Sequence, residues 1–442
     1  MEEKIRALVR ELNPWWEGER IEVPEYRRFV FPEIEKYMRL RQIIGIIGLR
    51  RVGKTVLMNQ LIEEKLKNTP KENIFYFVFD DVTTQKPEVL ERILNYYLKT
   101  IASKGRKYVF LDEIQKVPFW QGVIKRFYDR REDVKFVVSG SSSLDIRKSK
   151  ESLAGRIFDF YMPPLTFREF LEMNGIRTGR VEFKDFASFY EKNLHKKEVF
   201  ENMLQEYILR GAFPEIAGEK DEEIVRKYVK SSVVERIVLE DIPLGFGVRK
   251  RDILQDVLEY CANETSNLLD LTKLADTLNV NFRTIRTHLF YLQKAFLIDI
   301  LHVYTKSSAK RLRKNKKVHI AHPSIGIALM NYGREILSVN ELTGRYMESV
   351  VFQHAKYMAE RTYFWRSGRY EVDVVTENRK LLPIEVKYRA SISWKDTKSL
   401  AKFMKRFKLK TGVVVTKNTF DERKTKEGEI LFVPVWLFLL MV

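Results

Sequence analysis

The chain has 442 residues, 45% of them hydrophobic and 31% charged, and its 79 Lys and Arg outnumber its 60 Asp and Glu to leave a formal net charge of +19. That balance excludes a disordered or fibrous chain and leaves room for roughly three domains. The positive excess favours a polyanionic partner, nucleic acid or an anionic surface, the alternative being a soluble protein with many solvated lysines.

A single cysteine, Cys261, excludes an internal disulfide framework and a multi-cysteine zinc site, and makes a reducing cytoplasm the natural compartment. The Lys/Glu/Arg-rich balance is that of thermophile proteins. Residues 1–35 are polar and aromatic, with Asn13-Pro14-Trp15-Trp16 breaking a helical start, and read as a cap on the neighbouring domain. From 43 to 162 short apolar runs alternate with polar or helical stretches: IIGII (43–47), IFYFVF (74–79), YVFL (108–111), VKFVV (134–138) and IFDFYM (157–162). That alternation predicts a parallel sheet covered by helices, an α/β core over 36–165. Residues 166–245 lose the strand pattern and predict a helical subdomain, and 242–252, IPLGFGVRKRD, reads as a linker.

GLRRVGKT at 48–55 fits the phosphate-binding pattern G-x-x-x-x-G-K-[ST], placed after a buried strand and before a helix. Gly48 and Gly53 let the backbone wrap phosphate, with Arg50, Arg51, Val52 and Val56 completing the loop; Lys54 reaches the terminal phosphates of ATP and Thr55 can hold Mg²⁺. YVFLDEIQ at 108–115 supplies the partner acids: Asp112 for the metal, Glu113 to polarise the attacking water.

These motifs resemble the AAA+ branch of P-loop ATPases, and within it a prokaryotic, largely archaeal family with a GxRRVGKT loop and an LDEIQ acid pair. The resemblance implies that Ser139 senses the γ-phosphate and that GAFPEI at 211–216 belongs to a helical lid over 166–245. It offers Arg156 of LAGR as an arginine finger for a neighbouring subunit in a homo-oligomer, the alternatives being a sensor in its own subunit or a surface arginine.

Within 246–335, LTKLADTLN places Leu271, Leu274, Ala275 and Leu278 on one helical face, and the next helix does the same with Ile285, Leu289, Leu292 and Phe296. The pair has the length of a helix-turn-helix, with Arg283, Thr284, Arg286 and Thr287 on its outer face. Two short strands then flank Lys306–Lys317, where seven of 12 residues are basic (Lys306, Lys310, Arg311, Arg313, Lys314, Lys316 and Lys317), predicting a winged helix whose wing meets DNA phosphates or docks a protein.

The last segment, 336–442, carries YEVDVVT and LLPIEVKY, antiparallel strands with Asp373 on one and Glu385 and Lys387 on one face of the other. An acid, a hairpin and E-x-K resemble the restriction-endonuclease-like superfamily, which implies Glu348 from the preceding helix, a metal held by Glu348, Asp373 and Glu385, and Lys387 as a catalytic lysine. Arg366 of WRSG is a phosphate contact or a turn stabiliser. The alternatives are a charged surface hairpin or a fold that grips DNA without cutting. His302, His319 and His322 lack ligand spacing and read as packing residues. The final LFVPVWLFLLMV, 12 residues with Pro434, is too short to span a membrane and reads as a buried strand or helix.

Overall fold

A computed structural model of the chain describes residues 2–141, 153–307, 309, 311, 314–389 and 391–442. They divide into two compact units, Met1–Pro163 and Pro164–Val442. The boundary expected at 165 lies beside this division, whereas those expected at 245 and 335 fall inside the second unit.

The first unit is built on five strands, β1 (Ile43–Ile47), β2 (Ile74–Val78), β3 (Lys107–Asp112), β4 (Val134–Gly140) and β5 (Ile157–Tyr161), all parallel in the order β2-β3-β4-β1-β5. β1 and β4 are buried along their whole length, as strands covered on both faces must be, which is why they read as unbroken apolar runs. β4 lies between β1 and β3, so the loop leaving β1 and the acids ending β3 flank the C-terminal end of β4, the edge of an open parallel sheet where ligands bind.

In the second unit, helices Arg251–Asn263, Leu271–Thr277 and Phe282–Lys294 precede an antiparallel hairpin of β6 (Ile298–Leu301) and β7 (Lys317–Ile320). Leu274, Ala275, Ile285, Leu289 and Leu292 are buried and Arg283, Arg286 and Thr287 exposed, as the periodicity predicts, while Leu271, Leu278, Phe296 and Thr284 are half-buried. Lys310 and Arg313 of the expected wing lie outside the described residues. The segment expected as a linker is partly helical, at Ile242–Phe246, because Pro243 suits a first turn.

A six-stranded mixed sheet completes the unit: β8 (Arg361–Ser367), β9 (Tyr370–Glu377), β10 (Leu381–Lys387), β11 (Thr411–Thr416), β12 (Asp421–Lys424) and β13 (Glu429–Pro434), in the order β12-β13-β11-β10-β9-β8. Val372, Val414 and Phe432 pack with Leu400, Phe403 and Met404 of helix Lys398–Phe407. The terminal helix Val435–Leu439 is fully buried and Trp436 stacks on Phe200, ring centroids 4.8 Å apart. Among the described residues no helix is long and apolar enough to cross a membrane.

The N-terminal cap has a definite object, the free edge of β2. Asn13 Nδ2 donates to Tyr76 O at 2.9 Å and Asn13 Oδ1 accepts from Tyr76 N at 2.7 Å, a side chain imitating a neighbouring strand. Trp15 and Trp16 both donate their indole N–H to Ile74 O, at 3.1 and 2.9 Å. Edge groups that would invite another chain are thereby covered. Asn13→Ala leaves the Tyr76 amide and carbonyl unpaired in a buried place, and the expected loss is about 1–3 kcal/mol of stability. Urea unfolding of the two full-length proteins checks it.

Candidate functional site

The loop after β1 is shaped by sterics before any ligand arrives. A Cβ on Gly48 would lie 2.2 Å from the carbonyl oxygen of Met162, so only glycine lets the loop pass the end of β5. Gly53 adopts φ 98° and Arg51 φ 64°, left-handed turns that point successive backbone groups inward. Val52 is buried, Arg50 is half-buried, and Arg51, Thr55 and Val56 are exposed. Lys54, at the start of helix Lys54–Leu66, is buried and donates to the carbonyls of Gly48 and Leu49 at 3.1 and 2.7 Å, so its ammonium is parked on the loop itself.

Arg28, which sequence reasoning assigned only to the cap, braces this loop. Its guanidinium donates to Val52 O at 2.7 Å and to Pro163 O at 2.9 Å from a buried position. A buried arginine among aromatic neighbours in YRRFVF was the available signal, but nothing local says which carbonyls it would find.

Asp112 is the hub of the site. It accepts from Thr55 Oγ1 at 2.6 Å, from Tyr76 OH at 3.2 Å, from Glu113 N at 3.0 Å and from Ser139 Oγ. Thr55, Asp112, Glu113 and Ser139 are thus brought together as expected; Tyr76 was missed. A hydroxyl and a carboxylate at this spacing are hard oxygen donors suited to Mg²⁺. Glu113 stands in a left-handed conformation, φ 52°, and accepts from the side chain of Gln115. Burial raises its pKa, with Asp112 adding to the effect and Lys54 opposing it.

Arg156 sits elsewhere. Its carbonyl accepts from Ile43 N at 2.7 Å, at the opposite end of β1 from the phosphate loop, and its guanidinium pairs with Asp129 at 2.9 Å. A five-residue strand spans about 15 Å. The alternative of a sensor in its own subunit is therefore corrected: this side chain cannot meet phosphates held by its own loop.

In the second unit, β9 and β10 stop pairing beyond Val374 and Ile384, and Asp373 Oδ2 accepts from Val386 N at 2.8 Å across the gap. Glu385 and Lys387 share a face, with Lys387 Nζ 2.6 Å from Glu385 Oε1. Glu348 comes from helix Asn340–Met358. The four expected residues do converge, but not around a metal-binding set: among the described residues no group of three or more His, Cys, Asp or Glu is placed to hold an ion. Lys317 of β7 lies among them. Its buried ammonium lies 2.8 Å from Glu348, 2.6 Å from Glu371 and 3.6 Å from Asp373. The reading of Lys317 as a phosphate contact is corrected too. Burial alone would lower its pKa, yet Glu348, Asp373 and Glu371 hold it raised. Burial pushes Glu348 up to about 8 against the pull of Lys317, and burial together with Asp373 pushes Glu385 up to about 8. The Oε2 atom of Glu385 is buried without a hydrogen-bond partner, which a neutral carboxyl tolerates better than a carboxylate.

Beside this cluster run three adjoining hollows of about 820, 590 and 600 Å³ that all include Lys314. Arg286, Lys306, Lys316, Arg366 and Arg406 line them with Tyr304 and Trp365. Arg366 Nε is 3.7 Å from Glu371, which links the groove to the acids. The histidines serve structure: His322 caps helix Pro323–Leu329, and His319 Nδ1 is 3.1 Å from Ser349 Oγ.

Comparison with known proteins divides the chain into three matched segments. Residues 40–171 match a family described as an AAA domain, and 201–335 and 343–438 match two domains of unknown function. Two uncharacterized proteins of Methanocaldococcus jannaschii are 26% and 24% identical, over 94% and 93% of this chain and 92% and 87% of theirs. One from Haemophilus influenzae is 22% identical over 89% and 93%. Among solved structures, Cdc6p from Pyrobaculum aerophilum is similar at 10% identity and TM-score 0.31, over 71% of this chain and 96% of that one. A DNA polymerase III gamma subunit-related protein from Thermotoga maritima is similar at 11% and 0.27, over 60% and 99%. The family match and the five-stranded parallel sheet support an AAA+ ATPase-type domain in the first part of the chain.

Arg28→Ala frees the phosphate loop from Val52 and Pro163. The expected result is ATP binding weakened about tenfold, equivalent to about 1.4 kcal/mol, with the far-ultraviolet circular dichroism unchanged. Isothermal titration of both proteins with ATP checks it.

Proposed function

We propose that the chain is an ATPase that hydrolyses ATP to ADP and phosphate with Mg²⁺, and that its second unit engages DNA without cutting it. The observation that carries the first part is the joint placement of Thr55, Asp112, Glu113 and Ser139 beside Lys54. Lys54 leaves the carbonyls of Gly48 and Leu49 for the β- and γ-phosphates, a move that costs little because it exchanges neutral acceptors for charged ones. Thr55 and Asp112 are the residues that would hold Mg²⁺, which would supply charge neutralisation for the triphosphate. Glu113 takes a proton from the water as its oxygen bonds to the γ-phosphorus and the bond to the β–γ bridging oxygen breaks. Ser139 turns its hydroxyl from Asp112 to the γ-phosphate. Arg156, far from its own loop, is suited to a neighbouring copy's site once freed from Asp129.

The DNA reading is supported by the groove around Lys314, which Lys306, Arg366 and Arg406 line with the half-buried Tyr304, a set suited to phosphates. The exposed face of helix Phe282–Lys294 lies along the same groove through Arg286, in keeping with a winged helix. Metal-dependent cleavage finds no support in an acid cluster that already contains an ammonium.

Lys54→Ala is expected to abolish ATP binding, while Glu113→Gln binds ATP and loses about 10²–10⁴ in turnover, measured by phosphate release. The base must be ionised, so the raised pKa of Glu113 makes turnover fall on acidification at a pH above the ordinary glutamate value of about 4.3, and Glu113→Gln lacks that limb. Equal turnover for Glu113→Gln and the parent would sink the mechanism. For DNA, affinity is expected to drop steeply with salt, and Lys314→Ala to reduce the slope of log affinity against log salt by about 1. A salt-independent signal, or none, would favour a protein partner.

A further inference from the structure

We infer that Lys317 is the built-in cation of the acidic cluster formed by Glu348, Glu371, Asp373 and Glu385, standing where a divalent ion would otherwise be held. The site is therefore a metal-free one in the protein as it folds. The inference does not depend on the ATPase reading.

Three observations carry it. First, the ammonium is closely paired. It is a compact charge with three donor directions, and carboxylate oxygens of Glu348, Glu371 and Asp373 lie at 2.8, 2.6 and 3.6 Å from it. A second cation among the same oxygens would face Lys317 at contact distance in a place where charges are poorly screened.

Second, the position of Lys317 is imposed and not the chance reach of a long side chain. It opens β7, and its backbone bridges Leu268. Two residues on, His319 lies 3.1 Å from Ser349 Oγ, the residue after Glu348. Thr265 and Ser349 hydroxyls are 2.7 Å apart, and Ser266 Oγ donates to Arg345 O at 2.7 Å. These bonds pin the hairpin to the helix that carries Glu348, so the lysine arrives among the acids from a different part of the chain in one register.

Third, removal of the ammonium would leave four buried or half-buried acids with Lys387 beside Glu385 and the exposed Arg366 3.7 Å from Glu371. Glu385 Oε2 already lacks a partner. Such a set either binds a cation or stays protonated. Lys317 thus decides whether these oxygens are ligands, and its presence accounts for a nuclease-like constellation that engages a polyanion without hydrolysing it.

The test is Mn²⁺ titration of the nucleotide-free full-length protein, monitored by electron paramagnetic resonance. The parent is expected to bind no Mn²⁺ that the pair Asp373→Asn with Glu385→Gln removes. Lys317→Met, which keeps the volume and drops the charge, is expected to gain about one Mn²⁺ per chain, lost again when those two changes are added; Lys317→Arg gains none. Parent-protein Mn²⁺ that disappears with Asp373→Asn and Glu385→Gln overturns the inference, as does a folded Lys317→Met that binds no more than the parent. If Lys317→Met fails to fold, the parent and the Asp373/Glu385 pair decide alone, by the same criterion.

Discussion

A carboxylate taken out of water must be given a partner, and the two candidate sites of this chain are two answers to that demand. At the phosphate loop the partners are neutral. Asp112 is held by the hydroxyls of Thr55, Tyr76 and Ser139 and by a backbone amide, all of which can turn away or share when a metal ion and phosphates arrive. Lys54 donates to the carbonyls of Gly48 and Leu49 on the loop itself. In the second unit the partner is a full charge. Lys317 pairs closely with Glu348 and Glu371 and lies 3.6 Å from Asp373. The same residue types thus make a responsive site in one place and a closed one in the other.

This contrast bears on what the chain can do with its second unit. A metal site contributes a Lewis acid and an activated water, neither of which an ammonium supplies. An ammonium among carboxylates does contribute fixed geometry: it ties β7 to the helix carrying Glu348 and to β9 through Glu371 and Asp373. Arg366, on the groove side, reaches the same Glu371. The groove is therefore backed by an ion-pair network.

The legible part of the fold was the part written locally. Unbroken apolar runs between helical stretches announce a covered parallel sheet, and GLRRVGKT and LDEIQ are contiguous motifs whose side chains need only that sheet to meet. E-x-K was legible for the same reason, since residues two apart on a strand share a face. What stayed hidden depends on long-range partners. Arg28 meets Pro163 across 135 positions, and Tyr76 reaches Asp112 across 36. Lys317 was misread because it ends a basic run; the run says solvent, while the alternation in KVHI, with His319 buried two residues on, says interior. The two signals conflict, and the acids that settle the matter lie 31 or more residues away.

Arg156 shows the same limit in reverse. Its motif is local, yet its meaning is geometric: beside the start of β1 and β5, it lies at the opposite end of these paired strands from Lys54. An arginine there can act on a phosphate only if another copy brings its loop to it, and to do so it must give up Asp129. Exposed ion pairs of this kind are worth little in water, so the pair costs little to break once a triphosphate competes for the guanidinium. The sheet order that puts β4 between the loop and the acids also puts β5 and its arginine at an outer edge. Under the proposed mechanism, the arginine is supplied by a neighbouring chain.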